Sequence, residues 1–205
     1  MSDTADDLGP DRATLALYDE KAADYADRFR KLEATPRLSA FIAQLPPGAR
    51  VLDLGCGPGT AAAAMQAAGL EVDALDASAG MIALARERFG LDARLGTFDE
   101  VEPDADYDGI WANFSLLHAP RAAMPGHLAR LYQALAPGGL FHIGLKLGEG
   151  EERDSLGRFY TYYTEAELLA LLIGTGFTPI SQDTGRDEGF AGTQSDWIVV
   201  WSRKE

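Results

Sequence analysis

The sequence predicts an α/β protein: one mostly parallel sheet of seven strands, layered with helices and carrying a single antiparallel strand at its end. Three observations carry this. Residues 51–60, VLDLGCGPGT, join a short apolar strand pattern to glycines at alternate positions and then to a run of small helix-forming residues. Beyond it, strand patterns alternate with helical ones, the order that builds parallel strands through crossover helices. The last two strand patterns form a hairpin-like pair, which places one strand antiparallel to the rest.

Element by element, Leu15, Tyr18, Ala22, Tyr25 and Phe29 recur every three or four residues and mark one face of a leading helix. A second short helix is expected over Pro36 to Gln44. Val51 to Leu54 reads as strand one, and Thr60 to Ala68 as the helix that Gly69 stops. Glu71 to Asp76 reads as strand two. Ser78 is the expected N-cap of a helix with Ile82, Ala85 and Phe89 inward and Gly90 as its end. Residues 92–97 form a weak third strand, and Tyr107 to Ala112 a fourth. Pro125 is tolerated only in a first turn, so the helix carrying Leu128, Leu131, Tyr132 and Leu135 starts near Met124. Leu140 to Leu147 is strand five. Thr164 and Glu167 make a capping box for a helix with Leu168, Leu171 and Leu172 inward. Phe177 to Gln182 and Asp196 to Ser202 complete the sheet, and residues 148–163 read as a loop.

Composition narrows the classes. No linker or low-complexity tract divides the 205 residues, so one domain is expected over 1–205, with a helical cap at 1–45 and a core at 46–205. A chain of this size buries roughly 70% of its unfolded surface and needs neither disulfide nor metal. Its single cysteine, Cys56, lies in the glycine loop with no histidine nearby in sequence, and is read as a space-filler rather than a nucleophile. The acidic start MSDTADDLGP has no leader pattern and no 18-residue apolar run occurs, so a cytoplasmic protein without a membrane partner is expected. With 18 basic against 32 acidic residues the formal charge is -14, which repels phosphate backbones. No nucleic-acid partner is expected.

The glycine loop points to a nucleoside. Gly55, Gly57 and Gly59 allow a close turn beyond the carboxyl end of a strand, where open α/β sheets bind ligands. A dinucleotide fingerprint needs glycine at the sixth position, which here is Thr60. Asp53 would repel a pyrophosphate and suit a ligand with positive charge. The nucleoside is therefore cationic, and a nicotinamide oxidoreductase is disfavoured.

Asp53, Gly55, Gly57 and Gly59 together resemble motif I of the class I S-adenosylmethionine-dependent methyltransferases. EVDALD at 71–76, YDGIWANFSLLH at 107–118 and LAPGG at 135–139 resemble further landmarks of that family in the same order, and the likeness covers nearly the whole chain. It implies a Rossmann-like three-layer fold with strand order 3-2-1-4-5-7-6 and S-adenosylmethionine as cofactor, in a small-molecule, type 11-like branch. Asp53, Gly55, Cys56, Gly57 and Gly59 then belong to the cofactor loop. Asp76 and Ala77 end strand two, where the family's acid holds both ribose hydroxyls; an N-cap is the alternative for Asp76. Thr97 and Phe98 stand where the family places the adenine, with Asp99 a candidate acceptor for its amine. Tyr18, Tyr25 and Arg28 form a helix face that in similar enzymes lies over the methionine part, although an aromatic stripe is also ordinary core.

Substrate candidates are Arg158, Tyr160, Tyr162 and Tyr163, an aromatic cluster after strand five that forms either a wall of the acceptor pocket or packing beneath the next helix. His118 ends the run after strand four, while His127 falls in a predicted helix and His142 in a strand. His118 is thus the candidate general base, or else a loop-fixing histidine, and Asn113 competes as the group that positions the acceptor. The expected activity is methyl transfer to a small molecule. A resemblance of residues 158–168 to tRNA wobble-uridine carboxyl methyltransferases leaves a second reading, and a catalytically silent cofactor-binding protein a third.

Overall fold

The computed structural model describes residues 9–29 and 35–205. Most of the acidic N-terminal segment, part of the 1–45 cap and the side chain of Phe29 lie outside the described residues. The chain order is α1 (Arg12–Phe29), α2 (Pro36–Ala43), β1 (Arg50–Leu54), α3 (Thr60–Ala67), β2 (Glu71–Asp76), α4 (Ala79–Phe89), β3 (Arg94–Leu95) and β4 (Tyr107–Asn113). It continues with α5 (Met124–Ala134), β5 (Leu135–Lys146), β6 (Glu151–Arg153), β7 (Phe159–Thr161), α6 (Glu165–Thr175), β8 (Phe177–Glu188) and β9 (Gln194–Lys204).

Seven strands form one sheet in the order β3-β2-β1-β4-β5-β9-β8, which is 3-2-1-4-5-7-6 once the separate β6–β7 ribbon is set aside. β1, β2, β3, β4 and β5 pair in parallel, and β9 runs antiparallel to both its neighbours. Period-two alternation sorts the side chains of the central strands. Leu52 and Leu54 of β1, Ile110 and Ala112 of β4 and Phe141, Ile143 and Leu145 of β5 face a core closed by Leu128 and Leu131 of α5 and Leu168 and Leu172 of α6. Val51, Trp111 and Leu140 face the other way, onto Leu38 and Phe41 of α2 and Met65 of α3. Burying each such side chain is worth about 1.5–3 kcal/mol, and this double-sided burial fixes the register. No described helix is long and apolar enough to cross a membrane.

Local signals act as their chemistry dictates. Ser78 caps α4 by accepting from Met81 N at 3.2 Å, Thr164 and Glu167 form both bonds of the capping box, and Pro125 sits in the first turn of α5. Four expectations are corrected. Leu135 ends no helical stripe but opens β5, where it pairs with Tyr107. The third strand shrinks to Arg94–Leu95. The 148–163 loop contains an antiparallel ribbon, β6 on β7, whose acidic strand is exposed and carries no apolar alternation. β8 and β9 extend well past the sheet's edge as a long hairpin, pairing as far as Glu188 with Gln194.

α1 lies across the carboxyl edge of the sheet. Asp19 Oδ1 accepts from Ser78 Oγ at 2.7 Å and from Gly80 N at 3.0 Å, placing a carboxylate at the start of α4. The helices approach so closely there that a Cβ on Gly80 would meet the Asp19 carbonyl oxygen at 2.7 Å. Ion pairs of Asp11 with Arg153 (2.7 Å), Asp27 with Arg88 (2.9 Å) and Arg28 with Glu188 add to this attachment.

Candidate active site

The glycine loop leaves β1 and turns at once. Gly55 N and Cys56 N both donate to Leu75 O of β2, at 2.7 and 3.0 Å. Gly55 has φ +71°, and a Cβ there would stand 2.3 Å from the Ser115 Cβ, so only glycine fits between this turn and the loop after β4. Asp76, ending β2, receives Gly57 N at 2.8 Å on one carboxylate oxygen and Ser78 N at 2.8 Å on the other. It therefore orders the turn as well as facing the cavity.

Asp53 shares the Val51 face of β1, is 2% exposed, and its Oδ2 has no hydrogen-bond partner. Burial, with the Asp76 charge beside it, pushes its carboxyl up to about 7. Burial raises Asp76 as well, against the pull of its amide donors. Two acids thus meet at the glycine loop with no basic side chain among the described residues bonded to either, an arrangement that favours a cationic ligand. Burial, with the Asp53 and Asp76 charges, keeps the Cys56 thiol protonated, so it serves as packing.

Two cavities open here and share Tyr18, Tyr25, Gly55, Gly57, Asn113 and His118. The first is lined by Asp76, Ala77, Met81, Thr97, Phe98 and Asp99, with His127 set edge-to-face on Phe98 at 5.5 Å and its Nδ1 3.4 Å from the Asp99 carboxylate. The helix expected around His127 is α5, and the residue stands in its first turn. First turns after parallel strands sit at the binding edge, which is the signal that could have found it.

The second cavity is lined by Asp53, Cys56, Trp111, Lys146, Arg158 and Tyr160, and by Phe190 and Trp197 from the long hairpin. Arg158 is 2% exposed; its Nε and Nη2 bond Asp154 Oδ2 at 2.9 and 2.6 Å, and its Nη1 donates to the Tyr18 hydroxyl at 3.0 Å. His118 Nδ1–H donates to Phe159 O at 2.6 Å, which leaves Nε2 to accept the Tyr18 hydroxyl at 2.9 Å. Both ring nitrogens are therefore engaged, and burial holds the imidazole down to about 4, neutral at ordinary pH. Asn113 Oδ1 accepts from His142 Nε2 at 3.0 Å, and His142 stacks on Trp111 at 3.6 Å. Tyr25 packs on Tyr18 and on Phe190 at 5.6 and 5.3 Å, joining α1 to the hairpin tip.

Four sequence-derived candidates stand elsewhere. Arg28 pairs with Glu188 and reaches Gly189 O at 3.4 Å, outside both cavities, because the hairpin tip captures it. Gly59 lines neither of these two cavities: a Cβ there would meet Leu91 at 2.4 Å and Ala85 at 2.8 Å, so it is the contact that seats α4 on the loop. Tyr163 is fully buried in the α5–α6 core under Arg121, and Tyr162 packs over Gly148. They follow the end of β7, where the chain turns from the cavity toward α6. Phe190, Trp197 and Lys146 carry no local motif; only the tertiary path of β5 and β9 brings them in.

Residues 51–139 match a family described as "Methyltransferase domain". A malonyl-[acyl-carrier protein] O-methyltransferase of Enterobacter lignolyticus is 33% identical over 134 residues, 63% of this chain and 52% of that protein, so the match spans about half its length. A solved Burkholderia thailandensis 1,6-didemethyltoxoflavin-N1-methyltransferase, with S-adenosylhomocysteine bound, is 28% identical at TM-score 0.67, covering 92% of this chain and 87% of that one. A demethylmenaquinone methyltransferase of Renibacterium salmoninarum is 31% identical over 181 residues, 83% of this chain and 72% of that protein. On this likeness and the seven-stranded topology, the chain belongs to the class I S-adenosylmethionine-dependent methyltransferases.

Proposed function

We propose that the protein transfers a methyl group from S-adenosylmethionine to a small-molecule acceptor held in the second cavity. The observation that carries this is the pair of acids, Asp53 and Asp76, at a turn that only glycine can make. The residues fit the group: Asp76 would hold the ribose hydroxyls, Ala77, Thr97 and Phe98 would border the base, and Asp53, whose Oδ2 has no partner, would face the cationic methionine end. When bound, S-adenosylmethionine supplies a methyl already activated by its sulfonium. The chain's part is alignment and exclusion of water, and orientation of this kind is worth roughly 7–11 kcal/mol. The three relatives carry names with three different acceptors, which supports reading acceptor choice from the cavity walls rather than the loop. The charge of -14 supports a small molecule over nucleic acid.

Calorimetric titration with S-adenosylhomocysteine and with a nicotinamide dinucleotide tests the reading: the first binds and the second does not. Asp76→Ala should weaken the first by about 1.5–3 kcal/mol, the scale of hydrogen bonds to a charged group. Unchanged affinity would remove Asp76 from the site.

Within this reading His118 is a positioning residue. Its lone pair already accepts from Tyr18, so it holds that hydroxyl, with Arg158, at the junction of the two cavities. An imidazole that titrates near 4 stays neutral from pH 6 to 8, so it contributes no titration to kcat across that range. The expected result in the cofactor-saturated enzyme is a kcat profile over that range whose shape His118→Ala leaves unchanged. An acid limb near pH 6.5 that disappears in His118→Ala would make His118 the base instead.

A further inference from the structure

Of the three cationic side chains that line the second cavity, Arg37 and Arg158 are paired with carboxylates and Lys146 is not. Arg37 meets Asp183 at 3.0 Å, Arg158 meets Asp154 at 2.6 Å, Glu188 meets Arg28, and Asp187 accepts Trp197 Nε1 at 2.8 Å. Lys146 has none. Among the described residues no carboxylate comes within 4.0 Å of its ammonium, and it makes no hydrogen bond; it sits 4.1 Å from the centre of the Tyr160 ring. Strand alternation aims it there: residues 142, 144 and 146 of β5 share the face of Trp111, and Lys146 pairs in register with Trp197 of β9.

A partly buried ammonium without a counter-ion is an energetic debt in a chain with 32 acids and 18 bases, where any mobile carboxylate could have been recruited. Burial and the nearby Arg158 guanidinium lower its proton affinity, against the weaker pull of the Asp154 and Glu152 carboxylates, neither of which reaches pairing distance. Trp111, Trp197, Phe190 and Tyr160 give the same lining broad, flat aromatic surface. Resting on the methyl-transfer reading above, we propose that the acceptor is a monoanionic carboxylate compound with an apolar body, and that Lys146 is the counter-ion of its carboxylate. A phosphate monoester, a dianion near neutral pH, would bring a second negative charge into a cavity that already holds Asp53, Asp187 and Glu188.

The test titrates 3-phenylpropionate and benzoate, their neutral amides, and phenyl phosphate into protein first saturated with S-adenosylhomocysteine. At least one acid should bind at least about tenfold tighter than its amide, the scale of one charge-assisted contact. Lys146→Gln should erase that ratio while its affinity for S-adenosylhomocysteine stays within about twofold. The proposal fails if neither acid binds, if acid and amide bind alike, if the preference survives in Lys146→Gln, or if phenyl phosphate binds tighter than both acids. Should S-adenosylhomocysteine itself not bind, the methyl-transfer reading falls separately; the same titrations on the protein alone then judge Lys146 by the same criteria.

Discussion

Replacing Gly55 by alanine should destroy cofactor binding, while the same change at Gly57 should only weaken it. Both residues have positive φ, +71° and +54°, so each alanine costs about 1–2 kcal/mol in backbone strain. They differ in what the new methyl meets. At Gly57 nothing lies within 4 Å, whereas at Gly55 the methyl would sit 2.3 Å from the Ser115 Cβ and 3.6 Å from its Cα. Ser115 is buried in the loop between β4 and α5 and cannot swing aside, so one of the two loops must move. Overpacking of this kind adds about 1–3 kcal/mol, and the displaced loop carries Asp76's partner Gly57 with it. Calorimetry and thermal melts on both variants check this. Equal affinities in the two would show that the contact with Ser115 does not govern the site.

Arg158→Leu should be the most destabilising single change in the cavity walls. Arg158 and Asp154 have side chains only 2% and 10% exposed, and their ion pair is seconded by the bond to Tyr18. Removing the guanidinium strands a buried carboxylate, which costs about 3–5 kcal/mol. For a chain of this size the melting temperature should fall by roughly 6–20 °C. Arg158→Lys should rescue little, because one ammonium cannot reproduce the fork that spans Asp154 and Tyr18. Adding Asp154→Leu to Arg158→Leu should recover much of the loss. If the double variant melts no higher than the single one, the stranded charge is not the cause.

The cofactor half was readable because its information is local. VLDLGCGPGT contains a strand, its turn and a helix start within ten residues, and the acids at 53 and 76 end strands whose lengths follow from apolar patterns. Ser78 and the Thr164–Glu167 box announce helices by bonds three residues long. The other half is not local. Lys146, Arg158, Phe190 and Trp197 meet only after β5, the β6–β7 ribbon and the final hairpin have taken their places, and a β6 strand of Glu-Glu-Arg leaves no hydrophobic trace. The place of Arg28 is not legible for the same reason, since its partner Glu188 lies 160 residues away. Tyr162 and Tyr163 show the limit of composition: with Arg158 and Tyr160 they read as one cluster, but the turn after β7 sends Tyr163 into the core and lays Tyr162 over Gly148.

The way α1 is attached has a consequence for conditions rather than residues. The helix that contributes Tyr18 and Tyr25 is tied down in part by Asp11–Arg153, Asp27–Arg88 and Arg28–Glu188, pairs whose side chains keep contact with water. Each contributes at most about 1 kcal/mol, and in 1 M salt the screening distance shrinks to roughly 3 Å. The sheet and its two apolar layers do not weaken under such screening. Rising ionic strength should therefore loosen the wall over the site before it touches the body beneath it.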